Sequence, residues 1–277
     1  MKENYLFEHI KRKLAEAKAD TADCKIEEEL YKQVWLPGYP ALTEVFRPID
    51  VEKGSTSVVI AIAGTLTPGT MTAGDFGVTN MPYTYSTIDI NKNKGLSVGW
   101  TREWLEDSVQ GLGPQLAEVG RSIEEQIFKD CLTELETDVG ANTILLSSTF
   151  SYANFLAGIA ALEANNYHCD VVLCNPQEYY ELLNDDKFIH ASYVGNTSPV
   201  NSGVIQTTLG ARVFCSTDVA TGKVFFLDSR KALALGWIRQ RTTESYALPT
   251  TNQYGVVASV RYGLEVVIPL AVVMGAT

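Results

Sequence analysis

Histidine is scarce in this chain, with three in 277 residues. The five cysteines, Cys24, Cys131, Cys169, Cys174 and Cys215, are odd in number and never stand in CxxC spacing. That pattern excludes the disulfide framework of a small secreted domain, and the apolar runs VVLCN and ARVFCS predict reduced, buried thiols. No apolar run approaches the roughly 20 residues of a membrane span, and MKENYLFEHIKRKLAEAKAD contains no apolar signal core. The expectation is a chain made and kept in a reducing aqueous compartment. Basic residues are also short, 22 Lys and Arg against 33 Asp and Glu, for a net charge of −11. Such a field opposes tight binding to nucleic acid or to an anionic membrane.

Catalytic motifs are missing too. GTLTPGT has the glycine spacing of a phosphate-binding loop, but Thr70 and Met71 follow Gly69 where a lysine is required. There is no GxSxG elbow for an activated serine. His168 and Cys169 with Cys174 match no standard zinc spacing, so burial explains the cysteines better. Asp185 and Asp186 lack the company of a calcium loop and read as the end of a helix. Trp100 and Trp104 are expected to pack at the base of a hairpin. No catalytic, cofactor or metal site is expected, and no enzyme activity.

What is present is a clear order of elements. Apolar residues at Leu6, Phe7, Ile10, Leu14 and Ala17 predict a short amphipathic helix over residues 3–19. Pro37, Pro40 and Pro48 then keep residues 36–50 extended. SVVIAIA and YTYSTIDI predict two strands of a long hairpin, whose tip, GTLTPGTMTAGDFGVTN, has no lysine or arginine. LSVGW predicts another strand and TREWLEDS a short helix. Pro114 then opens a long helix whose apolar face carries Leu116, Val119, Ile123, Ile127, Cys131 and Leu135. Glu118, Arg121, Glu125, Lys129 and Glu136 fall on its polar face, and Gly140 supplies a left-handed stop. Its length should be about 35 Å. Helix SYANFLAGIAALEA, buried strand CDVVLCN and helix PQEYYELLND follow. A Ser/Asn/Gly/Pro-rich loop spans residues 190–203. ARVFCST, KVFFLDS, LALGWIR, residues 256–260 and LEVVIPLAVVMG read as strands, the last returning to an earlier sheet.

This order resembles the HK97-fold major capsid protein of tailed bacterial and archaeal viruses. STIDINKNKGLSVGWTREWLEDS, the long helix after it, VVLCNPQEYYELLNDD and the terminal RYGLEVVIPLAVV carry the resemblance, which extends over about residues 30–277. It implies an α+β chain divided into an N-terminal helix and arm (1–50) and an E-loop hairpin (51–95). A P-domain with the spine helix (96–147, with part of 236–262) and an α/β A-domain (148–235, with 263–277) complete it.

The same resemblance implies a structural protein that self-assembles into an icosahedral shell around a double-stranded DNA genome, in the virion, after synthesis in the host cytoplasm. Its partners would be other copies, as hexamers and pentamers, and a portal protein, with a scaffold or decoration protein in addition. Met71, Asp75, Phe76, Val78 and Met81 would be the inter-subunit contacts of the hairpin tip, and Asn196, Pro199 and Asn201 would line the capsomer axis. Some members join an E-loop lysine to a P-domain asparagine through an isopeptide bond promoted by a glutamate. Here no lysine lies between Lys53 and Lys92, so Asn252 in LPTTNQYG would have no partner and the shell should be non-covalent. No long, helix-rich scaffolding extension precedes the arm, so a separate scaffold or the helix over 3–19 would guide assembly. An encapsulin-type cellular compartment and a soluble α/β enzyme are the two alternatives.

Overall fold

Alternating and helical periodicities in the sequence become two sheets, a hairpin and a central helix in the computed structural model. It describes residues 34–35, 46–52, 54–63, 82–107, 113–140, 142–147, 149–185, 187, 210–248 and 250–276. The central element is α2 (Gly113–Asp138), which follows the short α1 (Arg102–Asp107). At 26 residues it is about 39 Å long. All six predicted apolar positions, from Leu116 to Leu135, are buried. On the polar face Arg121 bridges Glu118 at 2.6 Å and Glu125 at 2.9 Å, and Lys129 joins Glu125 at 2.7 Å. Exposed pairs at this spacing add only a few tenths of a kcal/mol each, so the apolar face holds the helix. Gly140 stands at φ +51° just beyond its end, as the stop required.

The first sheet has the order β1-β9-β10-β4. Strand β1 (Arg47–Asp50) runs parallel to β9 (Leu233–Leu248). Antiparallel pairs then join β9 to β10 (Gln253–Val266) and β10 to β4 (Lys92–Thr101). Three strands exceed their sequence-based lengths, among them β10, expected over 256–260 and running from Gln253 to Val266. β9 continues through QRTTESYAL, where few side chains are apolar, because β10 pairs with it along that stretch. β4 begins at Lys92 rather than at Leu96. Lys92 meets Glu134 at 3.4 Å and Lys94 meets Asp130 at 3.3 Å, so the alternating lysines of KNK face α2. Buried Tyr262 of β10 donates its hydroxyl to Asp130 at 2.7 Å from the same side.

The second sheet, β5-β11-β8-β6-β7, joins β5 (Thr143–Leu145), β11 (Val272–Ala276), β8 (Lys223–Leu227), β6 (Val171–Cys174) and β7 (Arg212–Cys215). Its central strands are covered on both faces, which is why VVLC is apolar throughout. Val171, Leu173, Phe225 and Leu227 share a core with α2, whereas Val172, Cys174, Val224 and Phe226 pack with α3 (Tyr152–Ala164) and α4 (Pro176–Leu183). One core therefore runs from the first sheet through α2 to the second. The predicted strand LEVVIPLAVVMG is divided: Leu264–Val266 complete β10 in the first sheet, and after a 3₁₀ turn (Pro269–Ala271) β11 returns to the second.

Candidate assembly surfaces

The hairpin is built from β2 (Ser57–Ala63) and β3 (Tyr83–Asp89), paired from Ser57↔Asp89 to Ala63↔Tyr83. Period-two alternation gives it two apolar faces. On one, Ile88 is buried, Val58 and Ile60 are half-buried, and all three join a small core with Val51, Ile90 and Ala234. The other shows Val59, Tyr83 and Tyr85 to solvent at 58, 54 and 66 %. Single exposed apolar residues are ordinary, but three clustered on one face of a two-stranded ribbon mark a surface suited to covering. The expected tip contacts Met71, Asp75, Phe76, Val78 and Met81 lie outside the described residues. So do Asn196, Pro199 and Asn201, and the helix expected over 3–19.

Sequence reasoning missed a second feature, the seat of the arm. Val34 and Trp35 are buried against α2 and β9. The Trp35 indole donates to Thr243 Oγ1 at 3.0 Å, and the Arg241 guanidinium lies 5.8 Å from the centre of its ring. Arg241 in turn reaches Glu124 Oε1 at 2.5 Å, which accounts for a carboxylate buried in α2. Gly120 of α2 lies directly beneath the Val34 carbonyl. The signals available in the sequence were Trp35 ahead of a proline-rich stretch and a glycine inside a strong helix, an expensive residue to place there.

The chemically suggestive residues fall into structural roles. Cys131, Cys169 and Cys174 are buried, and burial raises their thiol pKa values, to about 12 for Cys169. Cys215 is exposed, against the expectation drawn from ARVFCS, because β7 is the edge of its sheet. Asp185 accepts from the Tyr152 backbone N–H at 2.9 Å and the Lys187 N–H at 3.0 Å. These two bonds hold its carboxyl below the usual range. Trp100 donates to Gln115 at 2.6 Å and stacks on Trp104, so the pair packs where β4 meets α2 rather than at the hairpin's root. Asn252 turns the chain between β9 and β10 at φ +52°, with its amide 3.4 Å from Glu103. Among the described residues no cluster of His, Cys, Asp and Glu could hold a metal ion, and no helix is long and apolar enough to cross a membrane.

Solved structures share this fold. A chain of Mycobacterium phage Che8 is 18% identical, covering 80% of this chain and 84% of that one, with a TM-score of 0.64. The capsid of cyanophage P-SCSP1u is 12% identical over 84% and 86%, with a TM-score of 0.66. A virus-like particle from Pyrococcus furiosus is 17% identical over 89% and 98%, with a TM-score of 0.62. The fold is thus the HK97-like capsid fold, of the α+β class. The chain belongs to the phage capsid protein family, whose model matches residues 84–274. No curated protein matches the sequence. Its role is structural: it associates with copies of itself to form the shell of a virion.

Proposed function

We propose that the chain builds an icosahedral shell around a double-stranded DNA genome, as hexamers and pentamers held by non-covalent contacts of its arm and hairpin. The observation that carries this reading is the exposed face of Val59, Tyr83 and Tyr85 on a ribbon whose other face is rooted in the body. Burying those three side chains against a neighbour would contribute several kcal/mol per contact. Each subunit makes several such contacts, so moderate energies sum to a closed assembly.

The tip residues Met71, Phe76, Val78 and Met81, with Asp75, extend this contact over the neighbour, and Asn196, Pro199 and Asn201 gather at the capsomer axis. Residues 1–50, 51–95, 96–147 (with part of 236–262) and 148–235 (with 263–277) act as arm, hairpin, P-domain and A-domain. The chain catalyses nothing. It is made in the host cytoplasm, joins a portal protein at one vertex, and assembles with a scaffold or a decoration protein. The missing lysines between Lys53 and Lys92 support a shell without cross-links.

Expression followed by electron microscopy should show closed shells. Boiled in detergent, those shells should run as one band near 30.4 kDa. A ladder of covalent multimers would overturn the non-covalent claim, and particles that never form would overturn the shell itself.

A further inference from the structure

At the root of the hairpin a cleft of about 240 Å³ opens between β2, β1 and the turn before β9. Its walls are apolar, including Ile60, Ile62 and Ile268, and its rim carries Arg47, Arg230 and Lys231. Among the described residues no acidic side chain lines it. Among the described residues Arg47 and Arg230 have no carboxylate partner, while Lys231 shares Asp228 at 3.5 Å. A cationic, apolar-walled cleft is unexpected on a chain of net charge −11, because most of its surface repels what this cleft attracts.

The occupant that fits is an extended segment with carboxylates for the rim and aliphatic side chains for the walls. The chain contains one run of three consecutive acids, Glu27, Glu28 and Glu29, and it is flanked by Ile26 and Leu30. In the same chain Trp35 is held at Thr243, about 30 Å along β9 from Ala234, the partner of Arg47. The run would therefore come within side-chain reach of the rim only with the intervening residues drawn out largely straight, a constraint that a second copy does not face.

We propose that this cleft receives residues 26–30 of a second copy, with Arg47 and Arg230 pairing the glutamates. The inference rests on the shell-forming reading and adds to it a specific, charge-directed contact between subunits. Such a contact sets which subunit docks where and is sensitive to salt.

The test is a charge swap in the full chain, scored by the assembled fraction in sedimentation velocity. Arg230→Glu should leave circular dichroism and melting unchanged yet lower assembly about tenfold, in line with the loss of one close charge pair. Combining it with Glu28→Arg should restore assembly. A double variant no better than the single one overturns the proposal.

As a second measurement, a photo-crosslinking residue replaces Ile268 in shells mixed from heavy and light isotope-labelled chains. Cross-links to the 26–30 region of a differently labelled chain support the contact. Links within one chain, to nucleic acid, or to no acidic segment overturn it. If the unaltered chain forms no shells in the same buffer, the shell reading fails first, and that result is distinct from either outcome above.

Discussion

A β-carbon added at Gly120 would stand 1.9 Å from the carbonyl oxygen of Val34, far inside contact. The atom it meets is backbone and cannot rotate aside, so Gly120→Ala must either lift the arm off α2 or shift the helix. Alanine favours helix by about 1 kcal/mol over glycine, so without the clash this change would stabilise. We expect a net loss of about 1–3 kcal/mol in urea unfolding, with a red shift in tryptophan emission as Trp35 leaves its seat. A stabilised variant with unchanged emission would show that Val34 does not rest there. Glu265 gives a second test at this scale. Burial, followed by the nearby charges of Asp138, Glu134 and Asp89, raises its carboxyl pKa. A raised carboxyl contributes its stability in full below the unfolded pKa and loses it as pH rises through the folded value. Glu265→Gln should therefore stabilise the fold at pH 7 by several tenths of a kcal/mol to about 1. Below about pH 4 it should make no difference. Thermal melts at the two pH values check the sign.

Helix α3 begins at Ser151, whose side chain caps nothing. The cap comes instead from the far end of α4, where Asp185 accepts from the Tyr152 N–H, while Glu181 accepts from Phe150 N–H at 2.8 Å. One helix end thus closes the start of another. Asp185→Ala should cost about 1 kcal/mol. The Asp185 carboxyl titrates below its ordinary value, so its contribution holds above the unfolded pKa and fades as pH falls through the folded one. Urea titrations of the two proteins should differ at pH 7 and converge near pH 2. Sequence reading placed Asp185 correctly at a helix end but could not see which helix it caps, since that partner is set by packing. The same division runs through the fold. Strong local periodicity made α2, β2 and β3 legible, an unbroken apolar run did the same for β6, and the proline at N1 of α4 marked its start. The second half of β9 was not legible, because its residues are chosen for partial exposure and only its pairing to β10 makes them a strand. The exposed face of the hairpin could be anticipated from YTYSTIDI. The seat of Trp35 could not, because it combines residues from three distant parts of the chain.

For the whole molecule, folding and assembly should separate at the hairpin. Residues 65–79 join β2 to β3, whose last described pair is Ala63↔Tyr83, and the core residues described above all belong to other segments. Replacing residues 65–79 with a short turn should leave a subunit with unchanged circular dichroism and a Tm within a few degrees of the parent, because the α2 core and both sheets are intact. Its assembled fraction should nevertheless fall sharply in sedimentation velocity. Ile127→Asp makes the opposite test, since Ile127 is fully buried on the inner face of α2. A carboxylate there has no partner, and burying a group of that kind costs several kcal/mol, more than a typical margin of stability leaves. That chain should fail to fold and accumulate as aggregate. If the shortened hairpin still gives normal shells, the strapping role is wrong. If Ile127→Asp folds and melts like the parent, then α2 does not hold the two sheets together.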